Sequence, residues 1–217
     1  MRQLEAGLRA GLATLALELS DVQVTQCLDY LDLVQKWNKV YNLTAIRDPG
    51  EMLTHHLLDS LTVIAPLRRQ TQGRAVSLLD VGSGAGLPGV VVAICCPEVT
   101  VTCVDTVSKK AAFVQQAALT LKLPNLRGLH ARVESLTEPH DVVCSRAFAS
   151  LADFVSWSRL ALAEEGVWLA MKGKLPSDEM AVLPGTVEVF HVEQLQVPGV
   201  DLQRCVVWVR KRFVPSS

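Results

Sequence analysis

From about residue 75 onward, apolar runs of strand length alternate with stretches of helical spacing, and this rhythm constrains the fold more than any other feature of the chain. Strands are expected near 76–81, 99–104, 126–131, 140–145, 166–171, 187–197 and 204–210. Helices are expected near 87–96, 108–122, 151–163 and 177–183. Strands alternating with helices imply a parallel sheet covered on both faces. Only "PGVDLQ" (198–203) separates the last two strands, too little for a crossover helix, so they must pair antiparallel. The fold class is therefore α/β, with a seven-stranded, mostly parallel sheet whose last strand is antiparallel.

The part before this alternation reads as helical. "SDVQ" (20–23) has capping-box form, and Val24, Leu28, Leu31, Val34 and Trp37 follow at helical steps. "DPGE" (48–51) opens another helix, with Asp48 as cap and Pro49 at the first position. We expect a helical extension over 1–70 and the α/β domain over 71–217, within the size of one domain plus an extension. An apolar content of 49% excludes a disordered chain. A net charge of −1 argues against a uniformly basic nucleic-acid coat, while Lys36, Lys39, Arg47, Arg68, Arg69, Arg74 and "RKR" (210–212) leave room for a local basic face. Six cysteines without a CxxC pair read as small buried hydrophobes in a reducing cytosol. Charges scattered through the first leucines speak against a signal peptide, and the longest uncharged stretch, Val81 to Pro97, is short and broken by glycine for a membrane span. The expected location is the cytoplasm.

The first strand runs into "DVGSGAGLPG" (80–89), with glycine at 82, 84, 86 and 89. A strand, a glycine-rich turn and a helix can bring backbone against a ligand. "GAGLPG" fits G-x-G-x-x-G, which taken alone suggests a dinucleotide and a dehydrogenase. Two carboxylates separate the alternatives. Asp80, just before the first glycine, suits a cationic ligand and would repel a pyrophosphate. Asp105, closing the second strand, can accept bonds from both hydroxyls of a ribose. A ribose joined to an amino-acid tail and a sulfonium, rather than to a pyrophosphate, describes S-adenosylmethionine.

"LLDVGSGAGLPG", "DTVSKK" and the strand order resemble the class I (Rossmann-like) S-adenosylmethionine-dependent methyltransferases. "KWNKVYNLTAIRDPGEMLTHHLLDS" (36–60), "SRAFASL" (145–151) and "AMKGKLP" (170–176) narrow the likeness to the bacterial RsmG (GidB) family, which methylates N7 of one guanine in the decoding region of 16S ribosomal RNA. The resemblance implies S-adenosylmethionine held at Gly82, Ser83, Gly84, Leu87, Asp105, Thr106, Val133, Glu134 and Arg146. It also implies Arg146, Lys172 and Asn42 as catalytic or substrate-side residues, with no metal. The implied partner is 16S ribosomal RNA or a small-subunit particle, with neither membrane nor DNA.

The residues support this reading to different degrees. Arg146 and Lys172 end consecutive strands and so stand at the sheet edge where ligands of open α/β sheets gather. "ARVESL" (131–136) follows the third strand, where the backbone of Val133 and Glu134 can meet a base. Asn42 either caps a helix or contacts a ligand, and the family pattern favours the latter. His55 and His56 point in different directions on a helix, one expected buried and the other in solvent, so they make no metal clamp. Guanine N7 carries a lone pair and no proton, so its methylation needs no general base. Accordingly, no [DNS]-PP-[YFW] signature for amino methylation is present, and Cys95–Cys96–Pro97 reverses the Pro-Cys order of cytosine-C5 enzymes. The alternatives are a small-molecule methyltransferase on the same fold, an NAD-dependent dehydrogenase and a non-catalytic RNA-binding module.

Overall fold

A computed structural model describes residues 2–146, 148 and 150–212, which leaves Ala147 and Ala149 of the "SRAFASL" motif outside the described residues. The N-terminal layer comprises α1 (Arg2–Thr14), α2 (Asp21–Tyr41), α3 (Pro49–Met52), a π-helical stretch (Leu53–Leu58), α4 (Asp59–Leu61) and α5 (Ile64–Thr71). The expected caps form. Ser20 Oγ accepts the Gln23 amide at 3.3 Å while the Gln23 side chain accepts the Ser20 amide at 3.0 Å. Asp48 accepts the Glu51 amide at 2.9 Å, with Pro49 opening α3. The buried face of α2 is Val24, Cys27, Tyr30, Leu31, Val34 and Asn38, and Leu28 and Trp37 are only half-buried at its margin. The face is turned because α2 lies between two later helices. Gln23 donates to the Ile94 carbonyl and Gln26 to the Leu121 carbonyl, both at 2.8 Å.

The α/β part runs β1 (Ser77–Val81), α6 (Gly89–Cys95), β2 (Thr100–Asp105), α7 (Ser108–Thr120), β3 (Leu126–His130), β4 (His140–Arg146), α8 (Leu151–Ser158), β5 (Leu162–Lys172), α9 (Ser177–Ala181), β6 (Val187–Gln196) and β7 (Gln203–Lys211). The sheet order is β3-β2-β1-β4-β5-β7-β6. Strands β1 to β5 pair in parallel, and β7 runs antiparallel between β5 and β6. The helix expected over 151–163 is shorter. It gives way to a 3₁₀ turn at Arg159–Ala161, and Leu162 already pairs with His140 as the first residue of an eleven-residue β5. At the break the Ser158 hydroxyl donates to the Phe154 carbonyl and accepts the Trp168 indole N–H at 2.9 Å, tying the helix end to the strand.

Successive strand residues enter opposite cores, as the two-residue period of a strand requires. Leu78, Val101 and Leu169 pack with α2, α6 and α7, whereas Leu79, Val104 and Trp168 pack with α8. The N-terminal layer shares the first of these cores, because Leu8, Tyr30, Leu57 and Leu61 belong to it together with Val90 and Val114. Strand order reverses between β1 and β4, so a crevice opens at their C-terminal ends.

Tyr30 links the N-terminal layer to this crevice. Its buried hydroxyl donates to the Ala85 carbonyl at 2.7 Å. Tyr30→Phe leaves that carbonyl without its donor and is expected to cost about 1–3 kcal/mol, seen as a lower urea midpoint at unchanged slope.

Candidate active site

The turn after β1 is held by its own backbone. The Gly82 and Ser83 amides donate to the Val104 carbonyl at 2.9 and 3.2 Å, and the Gly86 and Leu87 amides donate to the Ser83 carbonyl at 2.8 and 3.0 Å. The glycines serve different ends. Gly84 has φ +60°, and a Cβ built there would meet nothing within 4 Å, so its backbone faces open space. A Cβ at Gly89 would stand 2.3 Å from Cys103 Sγ and 2.9 Å from Asp80 Oδ2. At Gly86 it would stand 2.6 Å from Val90. These last two positions are bare so that α6 can seat against the sheet, not so that a ligand can approach.

Asp80 shares that packing role. It is fully buried beneath the turn and lines neither cavity, so it does not reach a ligand as the sequence suggested. Its Oδ2 accepts the Gly89 amide at 2.8 Å, which fixes the start of α6. Burial pushes its carboxyl up to about 7, against the pull of the Gly89 amide and of Arg146.

Two cavities flank the turn, of about 430 and 700 Å³, and Gly82 borders both. The smaller is lined by Asp105, Thr106, Val133, Glu134, Phe148 and Trp157 among others. Asp105 is placed by two amides, Gly84 on Oδ2 at 3.0 Å and Val107 on Oδ1 at 2.9 Å. The larger cavity is bordered by Ser83, Gly84, Leu87, Arg146 and Lys172. The structure thus gathers the candidate residues around one turn, with the exception of Asn42. Asn42 is exposed, borders neither cavity and ends α2 in a left-handed conformation (φ +48°), where its Oδ1 accepts from Arg47 at 3.2 Å. The local capping role is the one its geometry serves.

Arg146 and Lys172 do stand at the ends of β4 and β5. One guanidinium nitrogen of Arg146 donates to the His55 carbonyl at 3.0 Å and to Asp59 Oδ2 at 3.1 Å. The Lys172 ammonium pairs with Glu179 Oε2 at 2.8 Å. Thr44, Asp59 and Arg204, given no role from the sequence, border the same cavity. One histidine is buried as expected, but the other is not fully in solvent. His56 is buried, His55 is half-buried, and both border the cavity from the π-helical stretch. π-Helical segments concentrate at functional sites, and no periodicity argument made for α-helices detects them. His56 Nε2 lies 2.7 Å from Thr44 Oγ1. Burial, and then the charge of Arg146, holds His56 below the ordinary imidazole range, so it is neutral at neutral pH.

A family model described as rRNA small subunit methyltransferase G (GidB) matches residues 23–207. The chain belongs to this family. It is 70% identical over 214 residues to the ribosomal RNA small subunit methyltransferase G of Polaromonas sp. strain JS666, covering 97% of this chain and 95% of that protein. It is 65% identical over 224 residues to the protein of the same name from Albidiferax ferrireducens, covering 99% and 100%. Among solved structures it resembles TrmN from Thermus thermophilus (TM-score 0.56, 19% identity, 74% of this chain and 53% of that one). It also resembles the 1,6-didemethyltoxoflavin-N1-methyltransferase of Burkholderia thailandensis, solved with S-adenosylhomocysteine (TM-score 0.58, 15% identity, 84% and 89%). At these identities the likeness is one of fold, and the fold is that of the class I methyltransferases. Among the described residues no helix is long and apolar enough to cross a membrane.

The buried Asp80 makes stability depend on pH with a definite sign. Its folded pKa lies above its unfolded one, so the folded chain binds the proton more tightly. The group costs nothing at about pH 3, where both states are protonated, and its cost grows up to about pH 7 and is constant above, reaching about 4 kcal/mol. In Asp80→Asn this slope is absent. The stability of the variant relative to the unsubstituted chain, from urea unfolding, is expected to rise between about pH 4.5 and pH 7.5.

Proposed function

We propose that this chain transfers a methyl group from S-adenosylmethionine to N7 of a guanine in 16S ribosomal RNA. The observation that carries the reading is the pair of cavities meeting at the bare Gly82–Gly84 backbone, one walled by Asp105 and the other bordered by Arg146, Lys172 and Arg204. The residues suit the cofactor. A carboxylate offers about four lone-pair positions, so Asp105, with two amides already bound, keeps acceptors for two ribose hydroxyls. Thr106, Val133 and Glu134 border the same cavity, where the base of the nucleoside would lie. Gly84, bare and facing open space, leaves passage for the amino-acid tail beside Ser83, Leu87 and Arg146. A pyrophosphate finds no such welcome, because the first amide of α6 is spent on Asp80. This weakens the dehydrogenase reading of the glycine motif.

When bound, the cofactor supplies an electrophilic methyl group. The acceptor nitrogen needs no deprotonation, so the neutral His56 is not required as a base. The protein's part is alignment and exclusion of water, and positioning of this kind supplies roughly 7–11 kcal/mol of a barrier. The family description, with its ribosomal small-subunit RNA, supports the acceptor class over a small molecule. The cations bordering the larger cavity suit the phosphates of such an acceptor.

Mass-spectrometric mapping of small-subunit RNA from cells with and without the protein is expected to show one methylated guanine that depends on it. Its absence would reject the reading. Methylation in vitro is expected to fall steeply with salt, and indifference to salt would favour a small-molecule acceptor. Asp105→Ala is expected to weaken cofactor binding by more than about tenfold in calorimetry, and an unchanged affinity would count against the ribose assignment. Arg146→Ala is expected to abolish turnover while a cooperative melting transition remains.

A further inference from the structure

Asp59 is the most enclosed acid bordering the larger cavity, its side chain only 2% exposed. Its two oxygens are divided between two arginines from different strands of the sheet. Oδ2 takes Arg146 at 3.1 Å, and Oδ1 takes the Arg204 Nε at 2.8 Å. Arg146 closes β4 and Arg204 lies at the start of β7, whereas Asp59 opens α4 in the N-terminal layer. Both arginine side chains remain partly accessible, at 21% and 28%, and both residues border the cavity. Each also has a backbone acceptor, the His55 carbonyl for Arg146 and the Gln203 carbonyl for Arg204 at 3.3 Å. Arg204 is held through two nitrogens and Arg146 through one, which leaves each planar guanidinium with further donors.

We infer that Asp59 is a positioning residue of the methyl transfer: it sets Arg146 and Arg204 in the orientation from which they meet the acceptor nucleotide, and it tempers their charge where the methylated base becomes cationic. The inference rests on the proposed RNA methylation. The geometry fits this role better than a purely structural one. A buried carboxylate needs partners, but a fold that merely wanted stability would do as well with apolar groups at this place. Here both partners also border the cavity. The charge argument points the same way. N7-methylation leaves a positive ring, and two unpaired guanidiniums beside it would raise the energy of the product and of the transition state leading to it. With one carboxylate shared between them, the pair carries half that charge and keeps its hydrogen bonds.

The test is Asp59→Asn in the full-length chain, measured on small-subunit RNA. The near-isosteric amide keeps an acceptor and loses the charge. The turnover number is expected to fall about tenfold or more while the cofactor dissociation constant stays within about threefold. The same substitution in an Arg146→Lys, Arg204→Lys background is expected to cost no more than about threefold, because both forks it orients are already gone. If Asp59→Asn does not fold, Asp59→Glu keeps the buried charge but displaces the oxygens by one methylene, and it should show the same split between turnover and cofactor affinity. Turnover within about twofold of the unsubstituted protein, or an equal loss in both backgrounds, would overturn the inference and leave Asp59 a role in stability alone. An unsubstituted protein that binds cofactor yet never methylates small-subunit RNA would overturn the functional reading and this inference with it.

Discussion

The hydrogen bond from the Gly89 amide to the buried Asp80 carboxylate is the constraint on which the site's geometry turns. It joins the last part of β1 to the first residue of α6 and so determines how long and how tightly curved the intervening turn can be. Gly89 must lack a side chain for this bond to form, because Cys103 and Asp80 already occupy the space. With the ends pinned, the turn closes on itself through the Ser83 carbonyl and on β2 through the Val104 carbonyl. Gly82 is then left where the two cavities meet, with Gly84 at the edge of the larger one. The acid that looked like a ligand contact is instead the anchor that shapes the contact surface, and its elevated pKa records what that burial costs.

The sheet alone does not complete the site. Thr44, His55, His56 and Asp59 all come from the N-terminal layer, which packs into the same core as α6 and α7. Tyr30 reaches from α2 to the Ala85 carbonyl, and Asp59 reaches from α4 to two strands. Residues before the sheet form one wall of the larger cavity, so that cavity is built jointly by both parts of the chain.

Much of this was legible beforehand, for physical reasons that differ by element. Strand positions could be read because a buried parallel strand needs an apolar run. The antiparallel pairing of β6 and β7 followed from a connector too short to cross over. The caps at Ser20 and Asp48 were legible because capping is local chemistry. The end of α8 was not, since the Ser158–Trp168 bond and the pairing of Leu162 with His140 are tertiary contacts that override the helical pattern. The roles of Asp59 and Arg204 were invisible because they arise from a pairing across 145 residues. The capping by Asn42 was one of the two readings the sequence left open, and it too is local chemistry.

The reversed direction of β7 has an effect on when the site can exist. In a strand parallel to its neighbours, the first residue would lie at the far edge of the sheet, but β7 runs the other way and delivers Arg204 beside the ends of β4 and β5. Synthesis proceeds from the N-terminus, so Asp59, Arg146 and the whole glycine turn emerge before their last partner. The wall of the larger cavity is complete only when β7 pairs between β5 and β6. A chain folded only through β5 would carry the turn and its carboxylates but lack Arg204, so the wall of the larger cavity depends on the pairing of β7.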